Sequence, residues 1–386
     1  MVRSDSGPEK IVSSADSSFD DIRPCNDDEV SAELRRIVSD RMVINSILKF
    51  RYPILSRHLT FFLKLLVKSY LNKKIKGIKN IADFQHQVAD FMTHMIDSTT
   101  DGVTYEGFDK FDKNCGYLFI SNHRDISLDP AFIDMALYLH HLETVRIAIG
   151  DNLLKMPAVT SLMRLNKSFI VKRSVDSPRE KLKALKHLSA YIGLSVHEGH
   201  SVWIAQREGR AKDGDDRTEG AVLKMLSLYG RELGQKFADY MSSLHIVPVS
   251  ISYEFDPNDL AKAHELDERA RHEGHYNKEQ LEDIDTITRG IREYKGRVKI
   301  VAGAPVSGGF ESAEELAAVL DDFIWKNYAL YPSNLIAAGA GASCTEEEKA
   351  RFSRRIGSYP EELKTRVLSM YARPYLNLQQ TLQTLK

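Results

Sequence analysis

Beyond Gly102 the chain alternates two kinds of stretch. Short, almost wholly apolar runs stand at 117–121 (YLFIS), 145–149 (VRIAI), 168–172 (SFIVK), 201–205 (SVWIA), 245–251 (HIVPVSI) and 297–302 (RVKIVA). Their length and their β-branched and aromatic residues predict strands. Between them lie stretches of helical periodicity near 130–140, 152–164, 178–197 and 218–236. The third opens on Ser177-Pro178-Arg179-Glu180, a capping box with proline at the first helical position. Strand, helix, strand in repetition predicts an α/β fold with a mainly parallel central sheet flanked by helices. In such a fold ligands bind beyond the carboxyl ends of the strands.

The flanking segments have other patterns. Residues 1–28 are acidic and Ser/Asp-rich, with too few apolar positions to offset the entropy of ordering, and are expected to be a disordered leader. Residues 29–100 are expected to be helical. Within them, 41–82 holds ten Lys or Arg and no Asp or Glu, a local charge of +10. Leu55, Leu59, Phe62, Leu66 and Tyr70 recur there at helical spacing, with Arg57, Lys64 and Lys68 on another side. A structural helix mixes charge signs, whereas anionic headgroups attract each nearby cation by about 1 kcal/mol, so this N-terminal basic amphipathic region is expected to lie on a membrane. Residues 101–330 form the expected α/β domain. Within it, 256–296 is a polar insertion or cover helix, and its His272 and His275 are not read as a metal pair. Residues 331–386 are expected to be a flexible hinge (AAGAGAS, 337–343) and a C-terminal helical pair.

A composition of 42% hydrophobic and 28% charged residues over 386 positions supports one large core with appendages. The net charge of −1 argues against a dedicated nucleic-acid binder. Three widely separated cysteines, Cys25, Cys115 and Cys344, form neither a disulfide framework nor a zinc site, which points to a reducing compartment. The N-terminus carries no apolar signal core, and no run is long enough to span a bilayer, so a cytoplasmic, peripheral location is expected.

Candidate chemistry begins directly after YLFIS, in Ser121-Asn122-His123-Arg124-Asp125-Ile126-Ser127-Leu128-Asp129-Pro130. A histidine with an ordinary pKa of about 6.5, its ring held by a carboxylate, can take a proton from a hydroxyl. Asp125 or Asp129 can serve that ring. Asp129 lies six positions on and reaches it only if the intervening backbone turns. Asn122 can orient the loop or assist an oxyanion. The second constellation, Arg207-Glu208-Gly209-Arg210-Ala211-Lys212, follows SVWIA, so the fold brings it to the same rim. Its cations around a glycine suit a phosphate. The DGDDRT that follows reads as an acidic turn before a helix. No metal site is assigned.

Four stretches in order resemble the glycerolipid acyltransferases, which include glycerol-3-phosphate and lysophosphatidic acid acyltransferases. SNHRDISLDP is similar to the family's His-x4-Asp block and GDNLLKMPAVTSLMRLNKSFIVKR to its second. WIAQREGRAKDG is similar to the Glu-Gly-x-Arg block and IVPVSISYE to the proline-containing fourth. The first block departs by having five residues between histidine and final aspartate, and the third lacks the one-residue gap before arginine. The resemblance favours Asp129 as the ring's partner, with Asp125 as fallback. It implies direct acyl transfer from acyl-CoA or acyl carrier protein to a glycerol-phosphate hydroxyl in phospholipid synthesis, with His123 as base and no cofactor beyond the donor substrate. Arg210, Arg207 and Lys212 would hold the acceptor phosphate, Glu208 and Gly209 would shape the loop, and Arg173 or Lys172 would add to the field. The rival readings are an inactive membrane lipid-binding protein of the same fold and a metal-dependent phosphoesterase using His123, Asp125 and Asp129.

Overall fold

The computed structural model describes residues 13–51, 60–175, 177–278 and 281–384. Seven strands appear among them: β1 (Val103–Glu106), β2 (Leu118–Ser121), β3 (Arg146–Gly150), β4 (Ser168–Val171), β5 (Val202–Ala205), β6 (Ile246–Tyr253) and β7 (Val298–Ala302). Six coincide with the expected runs. β1 was not anticipated, because its alternating VTYE carries only two half-buried residues. The chain forms two compact units, one of residues 1–91 with 146–194 and one of 92–145 with 195–386.

In the second unit the strand order is β1-β7-β6-β2-β5. β2 runs parallel to both β5 and β6, and β1 runs parallel to β7. Only β6 and β7 are antiparallel, so the sheet is mainly parallel, as expected. Every residue of β2 and β6 is buried, which is why their sequences read as continuous apolar runs rather than alternations. Ser121, at the end of β2, is in register with Ala205 of β5 and Val249 of β6, so the segments leaving β2 and β5 emerge together. The helical stretch expected near 218–236 holds two helices, Gly220–Leu226 and Leu228–Glu232, with a further helix at Phe237–Ser243.

The region 256–296 carries helices Asp259–Arg271 and Glu282–Arg292. The expected C-terminal pair is Glu346–Gly357 and Glu361–Thr384. Its Phe352, Ile356, Leu363, Val367, Met370 and Tyr371 share a core with Phe255 and Ala263. The longer helix also meets the segment after β5: Asn377 donates to Asp215 at 3.1 Å, and Arg217 donates to Gln380 at 3.1 Å. Residues 337–343, the stretch expected to be a hinge, hold the last residue of helix Pro332–Ala337 and the single turn Gly341–Ser343.

In the first unit β3 and β4 are parallel, with helices Val30–Ser39, Arg41–Arg51, Thr60–Ile75 and Pro157–Leu165 among its elements. Residues 13–28 are not the unstructured leader expected. Phe19 is fully buried and stacks on His187 at 4.6 Å, and the Ile22 carbonyl accepts from the Ile170 N–H at 2.9 Å. Local composition cannot reveal partners about 150 positions away. The first part of the expected amphipathic stripe, Leu55, Arg57 and Leu59, lies outside the described residues. In helix Thr60–Ile75 it is Val67 that is buried, against Ile44 and Leu48. Leu65, Leu66 and Tyr70 are 54%, 66% and 60% exposed, alongside exposed Lys68, Lys73 and Lys74. No described helix is long and apolar enough to cross a membrane.

Candidate active site

The loop that leaves β2 is fastened at its first residue. Asn122, fully buried, accepts from the Ile251 N–H at 2.8 Å and donates to the Ile251 carbonyl at 2.9 Å and to Asp216 at 3.1 Å. Both amide hydrogens have partners, so Asn122 orients the loop. The backbone then turns sharply into helix Leu128–Leu139, and this turn allows the six-residue spacing to close. Asp129 lies in the helix's first turn, and its Oδ2 sits 2.8 Å from the Nδ1 of His123. The same oxygen accepts the N–H of Arg124 at 2.6 Å and of Asp125 at 2.9 Å, while Oδ1 accepts the Tyr253 hydroxyl at 2.8 Å. An ionised carboxylate only accepts, so Nδ1 carries the proton and Nε2 is left as the basic nitrogen. The His123 side chain is 13% exposed, with the Trp203 ring edge-on at 5.6 Å.

Asp125 does not brace the ring. Its Oδ1 accepts the N–H groups of Ser127 and Leu128, both at 3.0 Å, and its Oδ2 accepts from Asn258 at 3.2 Å. The carboxylate shapes the turn and satisfies free donors at the helix start. Burial and the neighbouring Asp129 charge push its pKa up. Gly290 packs over it so closely that a Cβ there would lie 2.4 Å from Asp125 Oδ2.

The second segment arrives at the same rim. The Gln206 N–H donates to the Ser121 carbonyl at 2.9 Å, and the Ala211 N–H donates to the His123 carbonyl at 2.8 Å. Gly209 makes the intervening bend at φ +76°, a region glycine enters without a Cβ penalty. Arg210 is half-buried, has no hydrogen bond or ion pair among the described residues, and acts electrostatically on Asp125 and Lys212. Arg207 is partly engaged, donating to the Asp215 carbonyl at 3.4 Å and lying 3.7 Å from Glu219. Lys212 is ion-paired with Glu265 of helix Asp259–Arg271, and burial pushes its ammonium pKa down. Glu208 is exposed, and its N–H meets Glu219 at 3.2 Å. Arg173 belongs to the first unit, where its N–H donates to Asp151 at 3.2 Å, and Lys172 pairs there with Asp21.

Several residues beneath the loop were not anticipated. Arg124 is buried against Asp216 at 2.5 Å, and Lys262, also buried, pairs with Asp256 and donates to the Arg124 carbonyl at 2.6 Å. Asp216 sits inside the acidic DGDDRT and Lys262 inside a polar helix, so composition hides both. Tyr253 ends β6 within the fourth resembling block, yet nothing in its spacing links it to Asp129. Among the described residues no group of three or more His, Cys, Asp or Glu is arranged to hold a metal ion.

Residues 102–252, which include β2, β5, the His123–Asp129 pair and most of β6, match the family model Acyltransferase. This segment is an acyltransferase domain. Among solved structures it is similar to the 1-acyl-sn-glycerophosphate (LPA) acyltransferase PlsC from Thermotoga maritima. That likeness has 16% identity and a TM-score of 0.36, and spans 76% of this chain and 94% of that one. No curated protein matches the chain significantly.

Proposed function

We propose that this acyltransferase moves a fatty acyl group from acyl-CoA or acyl carrier protein to a hydroxyl of a glycerol-phosphate acceptor, glycerol 3-phosphate or lysophosphatidic acid, at a membrane surface. The observation that carries the reading is the 2.8 Å contact between His123 Nδ1 and buried Asp129, with the arginine-bearing loop hydrogen-bonded to the same His123. The carboxylate holds the ring in the tautomer whose Nε2 is a base. Nε2 takes the acceptor's hydroxyl proton as that oxygen attacks the thioester carbonyl. The tetrahedral centre collapses, the C–S bond breaks, and the imidazolium returns its proton to the departing thiolate, so ester and thiol are the products. Arg210, with no hydrogen bond or ion pair among the described residues, supplies the guanidinium for the acceptor phosphate. Arg207 and Lys212 add positive field while engaged with Glu219 and Glu265.

The exposed Leu65, Leu66 and Tyr70, flanked by lysines, support contact with anionic lipid, where such acceptors and their products reside. Incubation with labelled acyl thioester and either acceptor, with and without EDTA, tests the chemistry. Transfer that survives chelation and is abolished in His123→Ala is expected, whereas phosphate release lost with EDTA would replace this reading by a phosphoesterase. Flotation with anionic vesicles tests the surface: the triple variant Leu65→Ser, Leu66→Ser, Tyr70→Ser should remain in the soluble fraction, and equal recovery with the unaltered chain would end the membrane assignment.

A further inference from the structure

We infer that Tyr253 is a positioning residue for the His123–Asp129 pair, fixing the carboxylate through the oxygen that the imidazole does not use. The inference rests on His123 being the base. Asp129 is wholly buried, so each of its oxygens depends on the protein for hydrogen bonds. Oδ2 has three donors, the ring and two backbone N–H groups, whereas for Oδ1 the hydrogen bond is the Tyr253 hydroxyl at 2.8 Å.

Tyr253 is itself rigidly placed. It is the last residue of β6, in antiparallel register with Val298, and its ring lies 6.0 Å from that of Phe132 on the helix that carries Asp129. Burial and the Asp129 charge push its phenol pKa well above 10, so it remains an O–H donor wherever the enzyme works.

The contact has two consequences. Rotation about Cβ–Cγ moves both oxygens and would carry the imidazole with it, and the Tyr253 bond at Oδ1 adds to the resistance of the three donors on Oδ2. The phenol also draws negative charge toward Oδ1, which moderates the pull of Oδ2 on the imidazolium. In Tyr253→Phe more charge sits opposite the ring, the charged imidazole is favoured, and less neutral base is present at a given pH.

The test has two readouts on the intact chain. The imidazole titration of His123, assigned by NMR through the signal missing in His123→Ala, should move to higher pH by about half a unit in Tyr253→Phe. The acidic limb of the kcat/KM profile should follow it, with kcat down about tenfold and acceptor KM unchanged. A residue that merely fills the core would lower Tm and leave the titration midpoint where it was; that result overturns the inference. The NMR readout needs no turnover, so it stands apart from the transferase reading, which fails separately if His123→Ala retains activity. If Tyr253→Phe does not fold, replacing Tyr253 with 3-fluorotyrosine gives the opposite sign. Its more acidic phenol is a stronger donor and should move the His123 midpoint to lower pH, and a midpoint that is unmoved or raised would refute the assignment.

Discussion

Asp129→Asn is the substitution that separates charge from geometry at this site. With its carbonyl oxygen where Oδ2 lies, the substituted amide still accepts from the ring and from the Arg124 and Asp125 N–H groups, and its nitrogen faces Tyr253, whose hydroxyl can accept. Tautomer, turn and packing are kept, and only the negative charge is lost. The ring nitrogen and the carboxylate oxygen are 2.8 Å apart, which puts the centres of charge about 4 Å apart. At an effective dielectric of about 20 the attraction is then about 4 kcal/mol, and it exists only once the imidazole has become charged. Lost from the transition state alone, it slows kcat by about three orders of magnitude. Single-turnover acyl transfer from a labelled thioester, with thermal melts alongside, measures both effects. The expected result is a kcat near one-thousandth of normal with Tm within a few degrees, and Asp129→Ala should lose comparable activity and much more stability. An Asp129→Asn enzyme with near-normal kcat would show that no imidazolium forms opposite residue 129, and the base would have to be sought elsewhere.

Other perturbations probe other parts of the same argument. Arg210→Ala should raise KM for a phosphate-bearing acceptor about tenfold with little change in kcat, and should not affect an uncharged acceptor; unchanged kinetics on both would remove Arg210 from the site. Gly290→Ala drives a methyl to within 2.4 Å of Asp125 Oδ2 and should cost about 1–3 kcal/mol in urea unfolding, with no loss if helix Glu282–Arg292 does not cover the turn. Burial raises the Asp321 pKa to about 6, above its ordinary 3.8, although Thr218 donates to it. A raised carboxylate favours the folded state below about pH 4 and loses that advantage as pH rises through 6, so Asp321→Asn should gain on the unaltered chain by roughly 2–3 kcal/mol between pH 4 and 7. Parallel stability curves for the two proteins would contradict this.

Much of the sheet was legible because strands buried on both faces must be apolar throughout, and a short apolar run has few other uses. The edge strand β1 was not, since half of it faces water. The shared rim followed from topology: two parallel neighbours in register deliver their exits to one place. Which aspartate meets His123 did not follow, because spacing alone leaves the turn undefined. The turn is set by Asp125, whose bonds to Ser127 and Leu128 are local but whose other partners, Asn258 and the space over Gly290, lie more than a hundred positions away. Phe19 was misread for the same reason, a single aromatic in an acidic segment whose pocket is built by residues 187 and 191. Lys212 illustrates a further limit: a lysine in a basic loop looks free until Glu265 is found beside it.

The bonds between helix Glu361–Thr384 and the segment after β5 join residues 162 and 163 positions apart, and Gly214 leaves no room for a side chain against the Met370 carbonyl. Closing so large a loop of chain is slow compared with forming neighbouring helices or adjacent strand pairs. During refolding, circular dichroism should therefore recover before the mouth of the enzyme acquires its shape, and acceptor affinity should be among the last properties to return.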